Sequence, residues 1–164
     1  MDARRQIDSQ QPTNGGPLPG LLRPPLVFLS AILLGIALNQ VRPLPFRPST
    51  LAMLGPIAAV CAVLLFLLSF REFRRAGTSV RGSERTTTIV RTGPYRFSRN
   101  PIYLSFILLV LGLSVWQNDL WLLVMLVPAV GIIAMVVIPR EERFLDRNFH
   151  DQYSSYKAAV GRWF

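Results

Sequence analysis

The sequence predicts an all-α fold: a polytopic membrane bundle of about four transmembrane helices, with a C-terminal helical hairpin and a cytoplasmic loop and tail. Three observations predict this class. Hydrophobic residues make up 51% of the 164 residues and charged residues 16%, which is an unusual balance for a small soluble domain. The apolar residues are gathered into four long runs. The basic residues lie mainly between these runs.

The first two apolar runs, 24–41 and 51–70, are expected to form two transmembrane helices within a unit of residues 23–70. The second run has twenty residues without a charge, which is about the length needed to cross a bilayer. Residues 1–22 are polar and rich in Gln, Pro and Gly. Because they lack the apolar core of a signal peptide, we interpret them as a disordered N-terminal tail.

The last two runs, 101–116 and 120–138, are expected to form a tight helical hairpin over 101–138. Only Gln117-Asn118-Asp119 separate them, which leaves room for a short turn and no more. We expect the fourth helix to end at Pro139, because proline disrupts a continuing helix.

The basic residues predict the orientation in the membrane. Arg42 and Arg47 lie between the first two runs, whereas the other sixteen Lys and Arg lie in 1–23, in 71–100 or in 139–164. The positive-inside rule then places both termini and the loop 71–100 in the cytoplasm. The formal charge of +9 is interpreted as attraction to the lipid bilayer and not to nucleic acid, since no nucleic-acid-binding signature is present.

A helix start that could bind an anion lies in the loop. Gly93-Pro94 is a turn signal, and Asn100-Pro101 is typical of a helix start in which Asn caps the helix. Such an end attracts carboxylate or phosphate, and Arg99 adds positive charge beside it. An ordinary capped helix whose arginines face lipid phosphates remains an equal alternative.

Two adjacent acids, Glu141 and Glu142, follow the last apolar run. They are either a hydrated helix end with local salt bridges or a site for a cation or for sugar hydroxyls. The hairpin would bring the end of the fourth helix back to the start of the third. We therefore expect both acids to lie near Tyr95, Arg99 and Asn100, although about forty residues separate them in sequence.

The tail after residue 139 has helix-like spacing of aromatic and apolar residues. Its one histidine, His150, is expected at the surface. With His150 and Cys61 as the chain's only histidine and cysteine, the sequence predicts no metal site, and it contains no glycine-rich nucleotide motif.

Four segments resemble the isoprenylcysteine carboxyl methyltransferase family, which is similar in turn to the phospholipid N-methyltransferases. They are Gly93-Pro94-Tyr95-Arg96, Arg99-Asn100-Pro101-Ile102-Tyr103, Glu141-Glu142 and the ending Phe149…Tyr153…Tyr156…Val160-Gly161-Arg162-Trp163. The resemblance covers roughly residues 86–163. Each segment is short, but their order and spacing around a helical hairpin are specific.

The resemblance implies a membrane enzyme that uses S-adenosylmethionine and releases S-adenosylhomocysteine. Residues 71–164 would be its catalytic part, with the cofactor held by the loop 71–100 and the Glu pair and closed in by the tail. The implied cofactor-binding residues are Gly93, Tyr95, Asn100, Tyr103, Glu141 and Glu142. Many members have histidine where this chain has Asn100, so we expect no proton transfer at that position.

Three functions remain open. The first is O-methylation of the carboxylate of an isoprenylcysteine-like or other lipid-like amphiphile, with Arg99 or Arg143 holding the carboxylate. The second is N-methylation of a phospholipid amine such as phosphatidylethanolamine, with Glu141 or Glu142 accepting the proton. The third is a lipid-binding membrane scaffold without catalysis. The candidate catalytic residues are Arg99, Arg143 and Glu142, and nothing in the sequence indicates an oligomeric state.

Overall fold

The structure is a computed structural model that describes residues 23–46, 48–78 and 87–164. All regular structure in these ranges is helical. The predicted disordered tail, 1–22, lies outside the described residues, as does the middle of the predicted loop 71–100.

The described residues form six α-helices, which we number in chain order. They are α1 (Pro24–Val41), α2 (Leu54–Arg75), α3 (Pro101–Gln117), α4 (Leu120–Ile132), α5 (Ile138–Asn148) and α6 (His150–Ala159). By length and composition α1, α2 and the continuous helix Leu120–Asn148 are able to cross a membrane, and α3 is a shorter apolar helix of 17 residues. The predicted helical membrane bundle is therefore confirmed.

Helix α2 packs against α3, and α1 packs against α4. The contact between α2 and α3 is close at two glycines: a Cβ on Gly112 would lie 2.8 Å from the backbone nitrogen of Ala59, and a Cβ on Gly55 would overlap Trp116. The core between α1, α3 and α4 contains Phe28, Val110 and other buried apolar residues. Many large apolar side chains of α1 and α2 instead point outwards, as expected for surfaces that face lipid.

The predicted hairpin between α3 and α4 is present. Asn118 adopts the left-handed conformation, with φ of 54°, and ends α3. The carboxylate of Asp119 accepts a 2.9 Å hydrogen bond from the backbone N–H of Trp121 and thereby caps α4. The turn reverses the chain within two residues, so the end of the α4–α5 helix returns to the start of α3.

The prediction that the fourth helix ends at Pro139 is wrong. A π-helical turn, Ile133–Val137, joins α4 to α5, and Pro139 occupies the first turn of α5. A proline is tolerated there because the changed hydrogen-bond pattern of the π turn does not require its missing N–H. The helix therefore continues and carries Glu141 and Glu142 on ordered backbone.

The tail forms two helices where the aromatic spacing predicted helical structure. At Phe149 the backbone leaves the helical conformation, with φ of −135° and ψ of 35°, which separates α5 from α6. The break turns α6 towards the start of α3, and Tyr153 and Tyr156 are buried on that side. After Ala159 the chain has no regular structure up to Phe164.

Candidate functional site

A cavity opens at the end of the bundle where α2 ends and α3 begins. It is open to the surface, and its roughly 800 Å³ of space between atoms includes open solvent at the mouth. Apolar side chains of α2, α3, α5 and the segment before Gly93 form much of its wall. Its polar lining includes Tyr95, Arg99, Asn100, Tyr103, Glu141 and Glu142. The structure thus brings together the residues that the hairpin was expected to bring together.

Glu141 and Tyr103 join the two helices across the cavity. The hydroxyl of Tyr103 donates a 2.7 Å hydrogen bond to Oε1 of Glu141. Tyr103 is buried in the first turn of α3, and Glu141 is partly buried in the first turn of α5. In the part of the chain that the structure describes, Glu141 forms no salt bridge, and its carboxyl group is held by a neutral donor.

Glu142 differs from its neighbour because it lies between two arginines. Oε1 of Glu142 lies 3.1 Å from Nη1 of Arg99. Arg162 binds Glu142 with two hydrogen bonds, from Nε at 3.1 Å and from Nη2 at 2.7 Å. Such a bidentate pair fixes the direction of both side chains. Glu142 is therefore a structural anchor for two cations.

Arg99 lies at the wall of the cavity, and its side chain is only 10% exposed. Its Nη1 forms the salt bridge with Glu142 and donates a 3.1 Å hydrogen bond to the hydroxyl of Tyr153. Its backbone N–H donates to the carbonyl of Gly161 at 3.0 Å. Its Nε is buried without a hydrogen-bond partner among the described residues. A buried N–H of this kind is costly and indicates an acceptor that a ligand would provide.

Tyr95 is positioned by a short helical turn, Gly93–Arg96. Its ring packs edge-on against that of Phe73, with 5.2 Å between centroids, and its carbonyl accepts a 2.8 Å hydrogen bond from Tyr156. Burial raises the pKa of the Tyr95 hydroxyl and raises that of Tyr156 to about 12. Both hydroxyls are therefore neutral at physiological pH.

Gly93 does not line the cavity, although the resemblance implied a cofactor contact. Its φ of 59° starts the turn, and a Cβ there would lie 2.9 Å from Cγ of Glu72. The hydroxyl of Thr92 donates to the carboxylate of the same Glu72. Gly93 thus lets the loop pack against the end of α2, and it affects the cavity by starting the turn that positions Tyr95.

Asn100 precedes Pro101 at the start of α3 as predicted, but its side chain does not cap the helix. Its amide Nδ2 instead donates a 3.0 Å hydrogen bond to the carbonyl of Arg162. The cap expected from the sequence is wrong: the hydrogen bond to Arg162 orients the Asn100 amide towards the returning C-terminal segment, and its oxygen accepts no capping bond from α3. Asn100 lines the cavity nonetheless.

Arg143 lies outside the cavity, in contrast to Arg99. It is exposed on α5, and its Nε donates a 3.0 Å hydrogen bond to the carbonyl of Pro139. Of the two arginines considered for holding a carboxylate, the structure places Arg99 alone at the cavity wall. His150 is exposed, as expected.

Three residues of the C-terminal part were not predicted as site residues. Tyr153 and Tyr156 line the cavity, and Arg162 binds Glu142. The aromatic spacing of the tail was a signal for the two tyrosines. The Gly161-Arg162-Trp163 ending was a signal for Arg162, since it is among the segments that carry the resemblance.

Comparison with known proteins identifies the family. A family model described as phospholipid methyltransferase matches residues 50–152. An uncharacterized protein of Haemophilus influenzae is 36% identical over 64 residues, which span 38% of this chain and 98% of that protein. No solved structure matches the chain significantly. Because the family model matches more than half of the sequence and covers the cavity's α2, α3 and α5, this chain belongs to the phospholipid methyltransferase family and is a membrane methyltransferase for lipid-like substrates.

Proposed function

We propose that this protein transfers a methyl group from S-adenosylmethionine to an amphiphile held in the bilayer. The observation that carries the proposal is a pair of groups of opposite type in one cavity. Among the described residues, the carboxyl group of Glu141 forms no salt bridge, and the buried Nε of Arg99 has no hydrogen-bond acceptor. A ligand with both an ammonium and a carboxylate would complete both groups, and the methionine part of S-adenosylmethionine has both.

The residues present fit this cofactor. The aromatic rings of Phe73 and Tyr95 supply an apolar wall beside the polar groups of α3 and α5. When bound, S-adenosylmethionine supplies a methyl group on a sulfonium, which is a good leaving group. The task left to the protein is to hold and align the reactants and to exclude water.

A carboxylate is the methyl acceptor that requires the fewest catalytic groups from this site. It is ionised at neutral pH, so no base has to remove a proton before it attacks. The cavity fits this requirement, because Tyr95 and Tyr156 stay neutral, Asn100 does not titrate and Glu142 is bound by two arginines. We therefore propose O-methylation of an isoprenylcysteine-like or other lipid-like carboxylate.

N-methylation of a phospholipid amine is the second candidate. Two observations favour it: Glu141 forms no salt bridge among the described residues and so is available to accept a proton, and the matching family model is described as phospholipid methyltransferase. In this reaction the ammonium of the substrate loses a proton before it attacks the methyl group.

The test is a methylation assay with purified protein in detergent and methyl-labelled S-adenosylmethionine. One arm contains a prenylcysteine analogue and the other contains phospholipid extract. A methyl ester that alkali hydrolyses supports O-methylation, whereas label in alkali-stable headgroup amines supports N-methylation. If neither arm is labelled above a no-protein control, the proposed activity is wrong.

Cofactor binding separates either enzyme from a non-catalytic scaffold. In isothermal titration, S-adenosylhomocysteine is expected to bind the wild type, and Glu141→Gln is expected to weaken binding by about 10- to 100-fold, since it removes a charge-assisted contact. Asp151→Asn is the matched control, because Asp151 is an exposed acid of α6. A wild type that binds no S-adenosylhomocysteine would favour the scaffold.

We also propose that the cavity faces the cytoplasm. It lies at the end of the bundle that carries Arg74, Arg75 and Arg140, whereas the hairpin turn at Asn118 carries no basic residue. A reporter active only in the cytoplasm, fused after Phe164, should be active, and an inactive reporter would overturn this orientation.

A further inference from the structure

The C-terminal segment, Gly161 to Trp163, returns to the start of α3 and contacts it through backbone and side chains. The carbonyl of Gly161 accepts from the backbone N–H of Arg99 at 3.0 Å. The carbonyl of Arg162 accepts from Asn100 Nδ2 at 3.0 Å and from Ser98 Oγ at 3.3 Å. The segment is therefore fixed against the residues that lead into α3.

The side chain of Arg162 adds a contact that reaches the cavity indirectly. Its guanidinium binds both oxygens of Glu142, whose side chain is 14% exposed, while Arg162 itself is 40% exposed. Arg162 does not line the cavity, but Glu142 and Arg99 do. Arg162 thus touches the cavity wall at two residues: its side chain binds Glu142, and its carbonyl accepts from Asn100.

This arrangement gives the two adjacent acids different tasks. Both oxygens of Glu142 are engaged by arginines, so Glu142 has little capacity left for a ligand. Glu141, in contrast, forms no salt bridge among the described residues. If Arg162 did not hold Glu142, that carboxylate would be free to rotate and to draw Nη1 of Arg99 with it, and Nε of Arg99 would no longer stay at the cavity wall.

We propose that Arg162 is a positioning residue that acts through Glu142 to hold the guanidinium of Arg99 at the cavity wall. One part of this inference rests on the proposed function: the expected effect of Arg162 on the binding of a ligand carboxylate. The position of Arg99 is itself measurable without any ligand. Arg162 makes no contact with the reacting atoms in this account.

The first test needs no cofactor. Full-length protein labelled with [15N]arginine gives a signal for Nε–H of Arg99, which Arg99→Lys assigns by its loss. Arg162→Gln is expected to shift this signal, and Arg162→Lys to shift it less, because lysine keeps the charge without the bidentate geometry. Arg147→Gln, an exposed arginine of α5, is the matched control and should leave it in place. An Arg99 signal that Arg162→Gln leaves unchanged would overturn the proposal.

The second test measures binding of S-adenosylhomocysteine to variants that remain folded by circular dichroism. Arg162→Gln is expected to weaken binding about tenfold, as the loss of one charge-assisted contact would. The double variant Arg162→Gln/Glu142→Gln should bind about as weakly as Glu142→Gln alone, since both residues act in one chain of contacts.

The outcomes separate the two proposals. Arg162 would have only a structural role if the losses of affinity in the two single variants add in the double variant. The same conclusion would follow if folded Arg162→Gln binds within twofold of the wild-type affinity. A wild type that binds no S-adenosylhomocysteine, but whose Arg99 signal shifts in Arg162→Gln, would overturn the proposed cofactor and leave the role of Arg162 standing.

Discussion

The hydroxyl of Tyr103 lies 2.7 Å from Oε1 of Glu141, and 38 positions of sequence separate the two residues. This hydrogen bond joins the first turn of α3 to the first turn of α5 inside the cavity. It holds Glu141 in a place where little water reaches it. The contact therefore contributes both to the stability of the helix pair and to the direction of the carboxylate.

Tyr103→Phe removes this donor and leaves the carboxylate of Glu141 without its partner. We expect the free energy of unfolding to fall by about 1–3 kcal/mol, because a partly buried acceptor loses its hydrogen bond. In a Glu141→Gln background the same change should cost less, since an amide carbonyl is a weaker acceptor than a carboxylate. Chemical denaturation in detergent measures the loss of unfolding free energy in both backgrounds. Equal losses would contradict a direct contact between Tyr103 and Glu141.

Gly93→Ala and Gly77→Ala form a matched pair. Both glycines have φ near +60°, so alanine costs about 1–2 kcal/mol of backbone strain at either position. Only at Gly93 would the new Cβ meet Glu72, whereas Gly77 has open space. We expect Gly93→Ala to be the more destabilising and to raise KM for the methyl donor, since Tyr95 lies on the same turn. Equal effects on melting temperature and KM would show that the Glu72 contact is unimportant.

The close contact of α2 and α3 predicts opposite effects at two helical glycines. A Cβ on Gly112 would meet backbone atoms of Ala59 and Gly55, which cannot move without separating the helices. Gly112→Ala should therefore destabilise by about 1–3 kcal/mol. Gly131 has open space, so Gly131→Ala should be neutral or stabilise by up to about 1 kcal/mol. Thermal unfolding in detergent distinguishes them, and a stable Gly112→Ala would contradict the packing.

Burial of Tyr156 predicts a loss of stability at high pH. Its pKa is raised to about 12, above the value of about 10 in unfolded chains, so the folded state holds the proton more tightly. Its contribution is complete below pH 10 and is lost as pH rises from about 10 to about 12. Tyr156→Phe should reduce the fall in unfolding free energy between pH 9 and 11. An unchanged slope would show that Tyr156 titrates normally.

Much of the fold follows from local patterns in the sequence. The first apolar run was predicted at 24–41 and α1 spans Pro24–Val41, because a run of apolar residues that begins with proline leaves few alternatives. The hairpin followed from its three-residue connection. Pro139 was misread because local rules treat proline as a helix end, whereas the π turn before it depends on packing along the whole helix.

The site was predictable where the hairpin alone determines proximity, as for Arg99 and Glu142. The choice between Arg99 and Arg143 was not. Successive residues of a helix point about 100° apart, so Glu141, Glu142 and Arg143 cannot all face one cavity, and the sequence does not state which two do. Arg162 was missed because a single arginine after a helix has no periodicity that would identify its partner.

The helix Leu120–Asn148 has 29 residues, which corresponds to about 43 Å at 1.5 Å per residue, against a hydrocarbon layer of about 30 Å. By the same measure, Glu141 lies about 32 Å from its beginning, a distance close to the thickness of that layer. An acceptor anchored by its tail would then reach this depth by lateral diffusion within one leaflet, without being extracted. A water-soluble donor would arrive from the aqueous side, so the two reactants would meet at the boundary between their solvents.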